Sequence, residues 1–412
     1  MEQLVDRVAG LDVHRDTVVV TVRRPRPGGG RLVKTLTFAT TVAELTALGD
    51  WLVAEGVELA GMESTGVYWK PVYFLLEEQI PQVWLLNAEH LHNVPGRKTD
   101  VADSAWIAQL LEHGLVAPSF VPPAPIRRLR DLTRHRRVLI EERTRVIQRL
   151  EKALQDAGIK LTSVASTLLC KSGRAILDAL LAGETDPVEL AELAKGRLRV
   201  KIPALQQALR GSFQVEHHGL LVAQMLAHVD FLDESIAEFD ARIEAAVADY
   251  QPVLTRLVTI PGVARKTAIS LLAEIGVDMS VFPTPAHLAS WAGICPGNNA
   301  SGGKARAAHT RHGSPWLKTA LTEAAQAAAR TKGTYLAAHH AAIRGRRGTY
   351  KAIGATRHDL LIAYWHIVHD EVDYRELGAD WAQRRHSREH QTRRLIRQLE
   401  ALGHHVQLTD AA

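Results

Sequence analysis

Alternating apolar and polar positions open the chain. From Val8, VAGLDVHRDTVVVTVRRP reads as a strand, a turn and a second strand rich in Val and Thr. PRPGGG, residues 25–30, is a hairpin loop, and RLVKTLTFA supplies a third strand. The period then lengthens. TVAELTALGDWLVAEG has the spacing of an amphipathic helix with Thr41 at its cap. VELAGMEST is a fourth strand whose apolar run ends on Glu63, GVYWKPVYFLLEEQ returns to helix, QVWLLNA is a fifth strand, and a helix from Asp100 follows. Three antiparallel strands followed by alternating helix and strand predict an α/β domain of ribonuclease-H-like order over residues 1–125.

Prolines in APSFVPPAPI (117–126) mark a boundary, and the pattern beyond it is helical. Residues 127–152 carry ten Lys/Arg against four Asp/Glu. Leu129, Leu132, Leu139, Val146 and Leu150 share a seam with Arg136 and Arg143. Val222, Met225, Val229, Leu232, Ile236, Phe239 and Ile243 repeat with steps of three and four, a heptad seam. An antiparallel hairpin, a dimerising coiled coil and an ordinary bundle all satisfy this pattern across 126–250. A third region, 251–380, holds two short helices joined by a Pro-Gly-Val turn, then a helix, a glycine-rich polar loop, a basic segment and an Ala-rich helix. The tail, 381–412, is basic and helical in pattern. The architecture expected is α/β plus all-α.

Composition adds modest limits. The chain has 412 residues, with 50 Lys+Arg against 45 Asp+Glu, so its excess of +5 points only weakly to an anionic partner. Two distant cysteines, Cys170 and Cys295, build neither a disulfide framework nor a zinc knuckle and fit a reducing compartment. No run reaches the ~18–20 apolar residues of a membrane span. MEQLVDRVAG is not a signal peptide. The expectation is a cytoplasmic protein without a membrane partner.

Four acids carry the candidate chemistry. Asp12 sits on the first strand, Glu63 ends the fourth, and Asp100 and Asp103 share one helix face because positions three apart are neighbours there. In the predicted order the first and fourth strands adjoin, and the helix after the fifth can cover their ends. Converging carboxylates repel unless a cation holds them; Mg²⁺ takes such hard oxygen ligands, and two ions together suit chemistry at phosphorus. Taken singly, each acid also has a bland explanation: Asp100 as a helix cap, Asp12 in a turn, Glu63 paired with Lys70.

CPGNNASGGKARAAHTRHGSP places Ser301 in a Gly- and Asn-rich loop followed by Lys304, Arg306 and Arg311. Such a loop can hold phosphate oxygens, and a serine within it can attack phosphorus. It can equally be a basic loop that touches DNA without chemistry. TIPGVARKTAISLLAEIG fits a helix-hairpin-helix, in which Gly262 allows close approach to a phosphate, or a packing hairpin. GVARKT lacks the glycine before lysine that a P-loop needs, which excludes nucleotide binding on this motif. Arg127, Arg128, Arg134, Arg136 and Arg137 form the basic helix expected to face nucleic acid.

These stretches resemble bacterial insertion-sequence transposases of the IS one-ten type, related to Piv-like DNA invertases. GLDVHRD, GMESTGVYWKPVYFLLE, GRKTDVADSAWIAQLLEHGL, TIPGVARKTAISLLAEIG and LASWAGICPGNNASGGK occur in family order. The resemblance implies a RuvC-like domain bearing a DEDD set on Asp12, Glu63, Asp100 and Asp103. It implies Ser301 as a nucleophile joined transiently to DNA, with the metal-bound acids assisting across a composite site. It also implies a structured guide RNA from the element, DNA at the element ends and target, and assembly into a dimer or tetramer. Two rivals stand beside it: a junction nuclease with the same acids and water as nucleophile, and a catalytically silent nucleic-acid-binding protein.

Overall fold

The computed structural model describes residues 4–63, 66–87, 100–295, 300–301, 304–305, 310, 313–381 and 388–408, with backbone alone at 100–102, 300–301, 304–305, 388–391 and 394. The chain divides into two compact units, residues 1–121 and 122–412.

The first unit is built on a five-stranded sheet of order β3-β2-β1-β4-β5. β1 (Val8–Val13), β2 (Thr17–Pro25) and β3 (Arg31–Ala39) are antiparallel neighbours, whereas β4 (Leu59–Glu63) runs parallel to β1 and to β5 (Gln82–Leu86). This is the ribonuclease-H-like order expected from the sequence. Parallel neighbours need crossover connections; α1 (Val42–Ala54) and α2 (Trp69–Leu76) supply them. Thr41 holds the N-cap position of α1, but its side chain makes no capping hydrogen bond.

Alternation along the strands divides their side chains between two faces. Ala9, Leu11 and Val13 of β1 and Ala60 and Met62 of β4 are buried with Leu45, Leu48 and Leu52 of α1 and Val72 and Leu76 of α2. The opposite face packs Val8, Leu59 and Leu86 against Ile107, Ala108 and Leu111 of α3 (Asp100–Glu112). Each fully buried Leu, Ile, Val or Met side chain among these stabilises by about 1.5–3 kcal/mol.

The second unit is largely helical. α4 (Ala124–Asp156) is followed by α5 (Lys171–Leu181), α6 (Pro187–Glu192) and α7 (Ile202–Ala208), then by the long α8 (Leu220–Ala246). α4 and α8 form an intrachain antiparallel hairpin. Leu139 and Val146 pack with Val229 and Leu232, and Arg136 pairs with Asp240 while Arg143 pairs with Asp233. Seven residues up one helix thus match seven down the other, one heptad in opposite directions. The connecting helices enclose a core that includes Leu154, Ile176, Leu190 and Leu205.

Beyond the hairpin come α9 (Gln251–Leu257), α10 (Arg265–Ile275) and α11 (Pro285–Trp291). Two short paired strands follow, β6 (Ala300–Ser301) and β7 (Lys304–Ala305), where the sequence suggests only a loop. α12 (Pro315–Arg330), α13 (Tyr335–Arg347), α14 (Thr349–His369) and α15 (Arg388–Ala401) complete the chain. No helix among the described residues is long and apolar enough to cross a membrane.

Candidate active site

Strand order and alternation set Asp12 and Glu63 side by side on one face of the sheet. β1 and β4 pair in parallel register up to Leu11 opposite Met62, so Asp12 and Glu63 are the next residues on adjacent strands, both at the carboxyl ends. Alternation puts them on the face that carries Val8, Gly10, Leu59 and Gly61, which is the face covered by α3. Gly10 admits that helix: a Cβ there would overlap the carbonyl oxygen of Ser104 and the backbone nitrogen of Ala108. At the other end of α3 the Glu112 carbonyl accepts from Leu4 N at 3.0 Å, ahead of β1. α3 therefore runs antiparallel to β1, with its N-terminus toward Asp12. Four helical residues span about 6 Å and two strand residues about 6.5 Å. The helix start at Asp100 is thereby brought level with Asp12.

Two polar clusters inside the unit hold this register. Ser104 Oγ lies 2.8 Å from Thr21 Oγ1, which is 2.9 Å from Thr35 Oγ1, with Thr21 and Ser104 fully buried. Glu112 is also fully buried and pairs with Arg23 at 2.6 Å and with Arg31 at 2.5 Å. These groups tie α3 to β2 and β3, the hydroxyls by hydrogen bonds and Glu112 by its ion pairs, while Arg31 Nη2 is buried without a hydrogen-bond partner.

Asp103 lies one residue from Ser104, and its Oδ1 is buried without a hydrogen-bond partner. Asp12 Oδ2 is 3.1 Å from His14 Nε2, and the Asp12 side chain is 19% exposed. A buried carboxylate oxygen without a donor is costly unless a cation meets it. The carboxylates present are hard oxygen donors, the class that Mg²⁺ takes. Among the described residues no three His, Cys, Asp or Glu side chains form a metal-sized cluster, and the Asp100 side chain lies outside the described set.

In the second unit, Ser301 pairs opposite Lys304 in the β6–β7 ribbon; only their backbone is described, and Arg306 and Arg311 lie outside the described residues. The stem of this loop is fixed at its far side. A Cβ on Gly313 would overlap the Ala292 carbonyl, so the loop ends lie back to back. Ser314 then caps α12, accepting from Leu317 N at 3.3 Å while donating to Glu274 Oε2 at 2.8 Å. Glu274 is buried near the end of α10 and receives Arg134 through Nε at 2.7 Å and Nη2 at 2.9 Å. Arg130 Nε and Nη2 donate to the carbonyls of Ala273 and Glu274. Nothing in the sequence pattern singles out Glu274; its position in a helix otherwise buried on that side is the one available signal.

Several arginines of the basic helix already have partners within the fold. Arg134, Arg136 and Arg137 are expected to face nucleic acid, yet each is neutralised within the fold, by Glu274, by Asp240, and by Glu141 with Glu323 respectively. The hydrogen bond from Arg136 holds the Asp240 carboxyl below its ordinary value against the opposing effect of burial, and Lys266 adds to the lowering. Arg127 Nη1 donates to the Pro122 carbonyl, and Arg128 is exposed. Gly262 has φ +87°, and a Cβ on it would overlap backbone atoms of Ala324 and Ala328. Within the fold, the close approach it permits is to α12.

Comparison with known proteins adds two family matches. A transposase model of the DEDD, IS110 type matches residues 9–159, and a model of the transposase IS116/IS110/IS902 family matches residues 254–341. The insertion element IS110 uncharacterized 43.6 kDa protein of Streptomyces coelicolor is 34% identical over 103 residues. That match spans a quarter of each chain. A Thermus thermophilus RuvC structure aligns with 27% of this chain and 99% of its own, at 14% identity and a TM-score of 0.21.

Proposed function

We propose that the chain is a transposase of the IS110 type, the family that both matched segments point to, and that it catalyses insertion-sequence transposition, cutting and rejoining DNA through a covalent serine–DNA intermediate. The observation that carries this reading is the buried, unpartnered Asp103 Oδ1 on the helix that covers the Asp12 and Glu63 face of the sheet. Asp12, Glu63, Asp100 and Asp103 would hold Mg²⁺, as two ions. When bound, these ions stabilise charge on the attacking and leaving oxygens at phosphorus.

The protein's own groups do the rest. The Ser301 Oγ attacks a DNA phosphorus, the Oγ–P bond forms, and the P–O3′ bond breaks. The serine proton ends on the released 3′ hydroxyl. A 3′ hydroxyl from another strand reverses the exchange, so the phosphodiester energy is conserved without an external energy source. Lys304, Arg306 and Arg311 neutralise the phosphate, and Arg127 and Arg128 meet the DNA backbone. The functional segments are the acid domain at 1–125, the hairpin region at 126–250, the serine domain at 251–380 and the basic tail at 381–412. The partners are element-end and target DNA, a structured guide RNA and further copies of the chain. Family membership supports the DNA; the resemblance of the motifs supports the RNA and the assembly.

A recombination assay with the flanking DNA supplied tests this reading. The wild type joins strands, whereas Asp12→Asn and Ser301→Ala do not. Hydrolytic cleavage retained in Ser301→Ala, with joining lost, favours the nuclease in which water attacks.

A further inference from the structure

The hairpin of α13 and α14 ends in a tip whose composition the fold does not require. Residues 344–351 read Arg-Gly-Arg-Arg-Gly-Thr-Tyr-Lys, and no Asp or Glu occurs anywhere from 340 to 358. Arg344, Arg346, Arg347 and Lys351 are all exposed, and among the described residues none of them makes an ion pair. Tyr350 is 92% exposed, in the first turn of α14. A Cβ on Gly345 or Gly348 would meet nothing, so the backbone of the tip is itself open.

The tip is held out on a rigid support. His340 Nδ1 lies 3.1 Å from Thr356 Oγ1 in the buried interior of the hairpin, and Thr356 also donates to the Ala352 carbonyl. His339 Nδ1 is 2.6 Å from Asp359 Oδ2, and Leu336 and Leu360 are buried below. Gly348, at φ +83°, makes the turn that a side chain would strain, and its N–H closes α13 on the Arg344 carbonyl at 3.0 Å.

An aromatic ring left almost wholly in water gains nothing from packing. Placed among cations that make no ion pair among the described residues, it has the two parts of a single-strand platform: positive charge for the phosphates and a flat face for a base. A duplex keeps its base faces stacked on one another and cannot use the ring in this way. We propose that the α13–α14 tip docks single-stranded nucleic acid, with Arg344, Arg346, Arg347 and Lys351 against the phosphates and Tyr350 stacked on an unpaired base. This rests on reading the chain as an enzyme of nucleic acid, but its residues lie outside both family-matched segments.

Fluorescence anisotropy of the full chain tests it, with labelled oligothymidylate and oligouridylate of equal length and a mixed-sequence duplex as probes. Tyr350→Ala weakens single-strand binding by about 5- to 150-fold, Tyr350→Phe restores it, and duplex binding is unchanged by either. Replacing Arg346, Arg347 and Lys351 together with Ala reduces the slope of log affinity against log salt by about 2. An effect confined to oligouridylate assigns the strand to RNA, and one confined to oligothymidylate assigns it to DNA; both support the site. Wild-type affinity and salt slope in these variants overturn the docking surface and leave the strand-transfer reading intact. Failure of the wild type to bind any probe overturns both. Loss of self-association in Tyr350→Ala with strand binding intact overturns the proposal in favour of a contact between copies.

Discussion

Gly10 on β1 lies so close to Ser104 on α3 that a single Cβ would overlap the Ser104 carbonyl oxygen. The proposed acid site depends on this contact, because the same approach sets the start of α3 level with the carboxyl end of β1.

Gly10→Ala therefore pushes α3 off the sheet. Overpacking of this kind costs about 1–3 kcal/mol, and the neighbouring atoms here are backbone, which cannot swing aside. Ser104→Ala, which leaves Thr21 its Thr35 partner, costs about 1 kcal/mol. Urea denaturation of the two variants checks the order: Gly10→Ala is the more damaging, and equal stability of Gly10→Ala and wild type contradicts it.

Asp103 should behave as a cation ligand rather than as a structural acid. Its buried Oδ1 has no donor, so without divalent ions Asp103→Asn is at least as stable as the wild type. With Mg²⁺ the order reverses, since a ligand that binds only the folded state raises the melting temperature. The check is a thermal melt at increasing Mg²⁺. A wild-type melting temperature indifferent to Mg²⁺, or an equal rise in Asp103→Asn, counts against the assignment.

Much of the first unit was legible in the sequence because its signals are local. Alternation in β1, β2 and β3 and the apolar run ending at Glu63 give strand order and place Asp12 and Glu63 on adjacent strands. The contacts that fix α3 were not legible: Thr21 and Ser104 stand 83 residues apart, and neither hydroxyl departs from an ordinary surface pattern until they meet. The partners of the seam arginines were hidden for a related reason. A cation on a heptad seam shows no partner in the local pattern, because Asp233 and Asp240 arrive from a helix some ninety to a hundred residues later. The β6–β7 ribbon has strands of two residues, too short for any period to register. The α13–α14 tip offered a run of cations interrupted by a tyrosine, which can be seen in the sequence, but its exposure comes only from the packing of the helices beneath it.

Glu274 links Arg134 to the Ser314 cap at the foot of the serine-bearing loop. Glu274→Ala leaves a half-buried guanidinium without its partner and destabilises by about 3–5 kcal/mol. Replacing both members with apolar residues, Arg134→Met with Glu274→Leu, recovers most of that loss. Chemical denaturation of the single and double variants measures it; an additive loss in the double variant contradicts the pairing.

The Asp240 pair predicts a pH dependence of definite sign. Its folded pKa is lowered, first by the hydrogen bond from Arg136. A carboxyl of this kind contributes stability above its unfolded pKa, about 3.9, and loses it as pH falls through the folded value. Asp240→Asn is thus less stable than the wild type at neutral pH, and the gap closes on acidification below about pH 4. Denaturation at a series of pH values checks this, and a gap as wide in strong acid as at neutrality shows that the charge is not its source.

The most direct measurement is the capture of a covalent adduct. The full chain is incubated with Mg²⁺ and element-end DNA nicked next to the cleavage site, so that the cut strand diffuses away, and is then run on a denaturing gel. The wild type yields a protein–DNA species that is absent in Ser301→Ala and in Asp103→Asn. Cleaved DNA without any adduct, or an adduct that persists in Ser301→Ala, contradicts the serine–DNA intermediate.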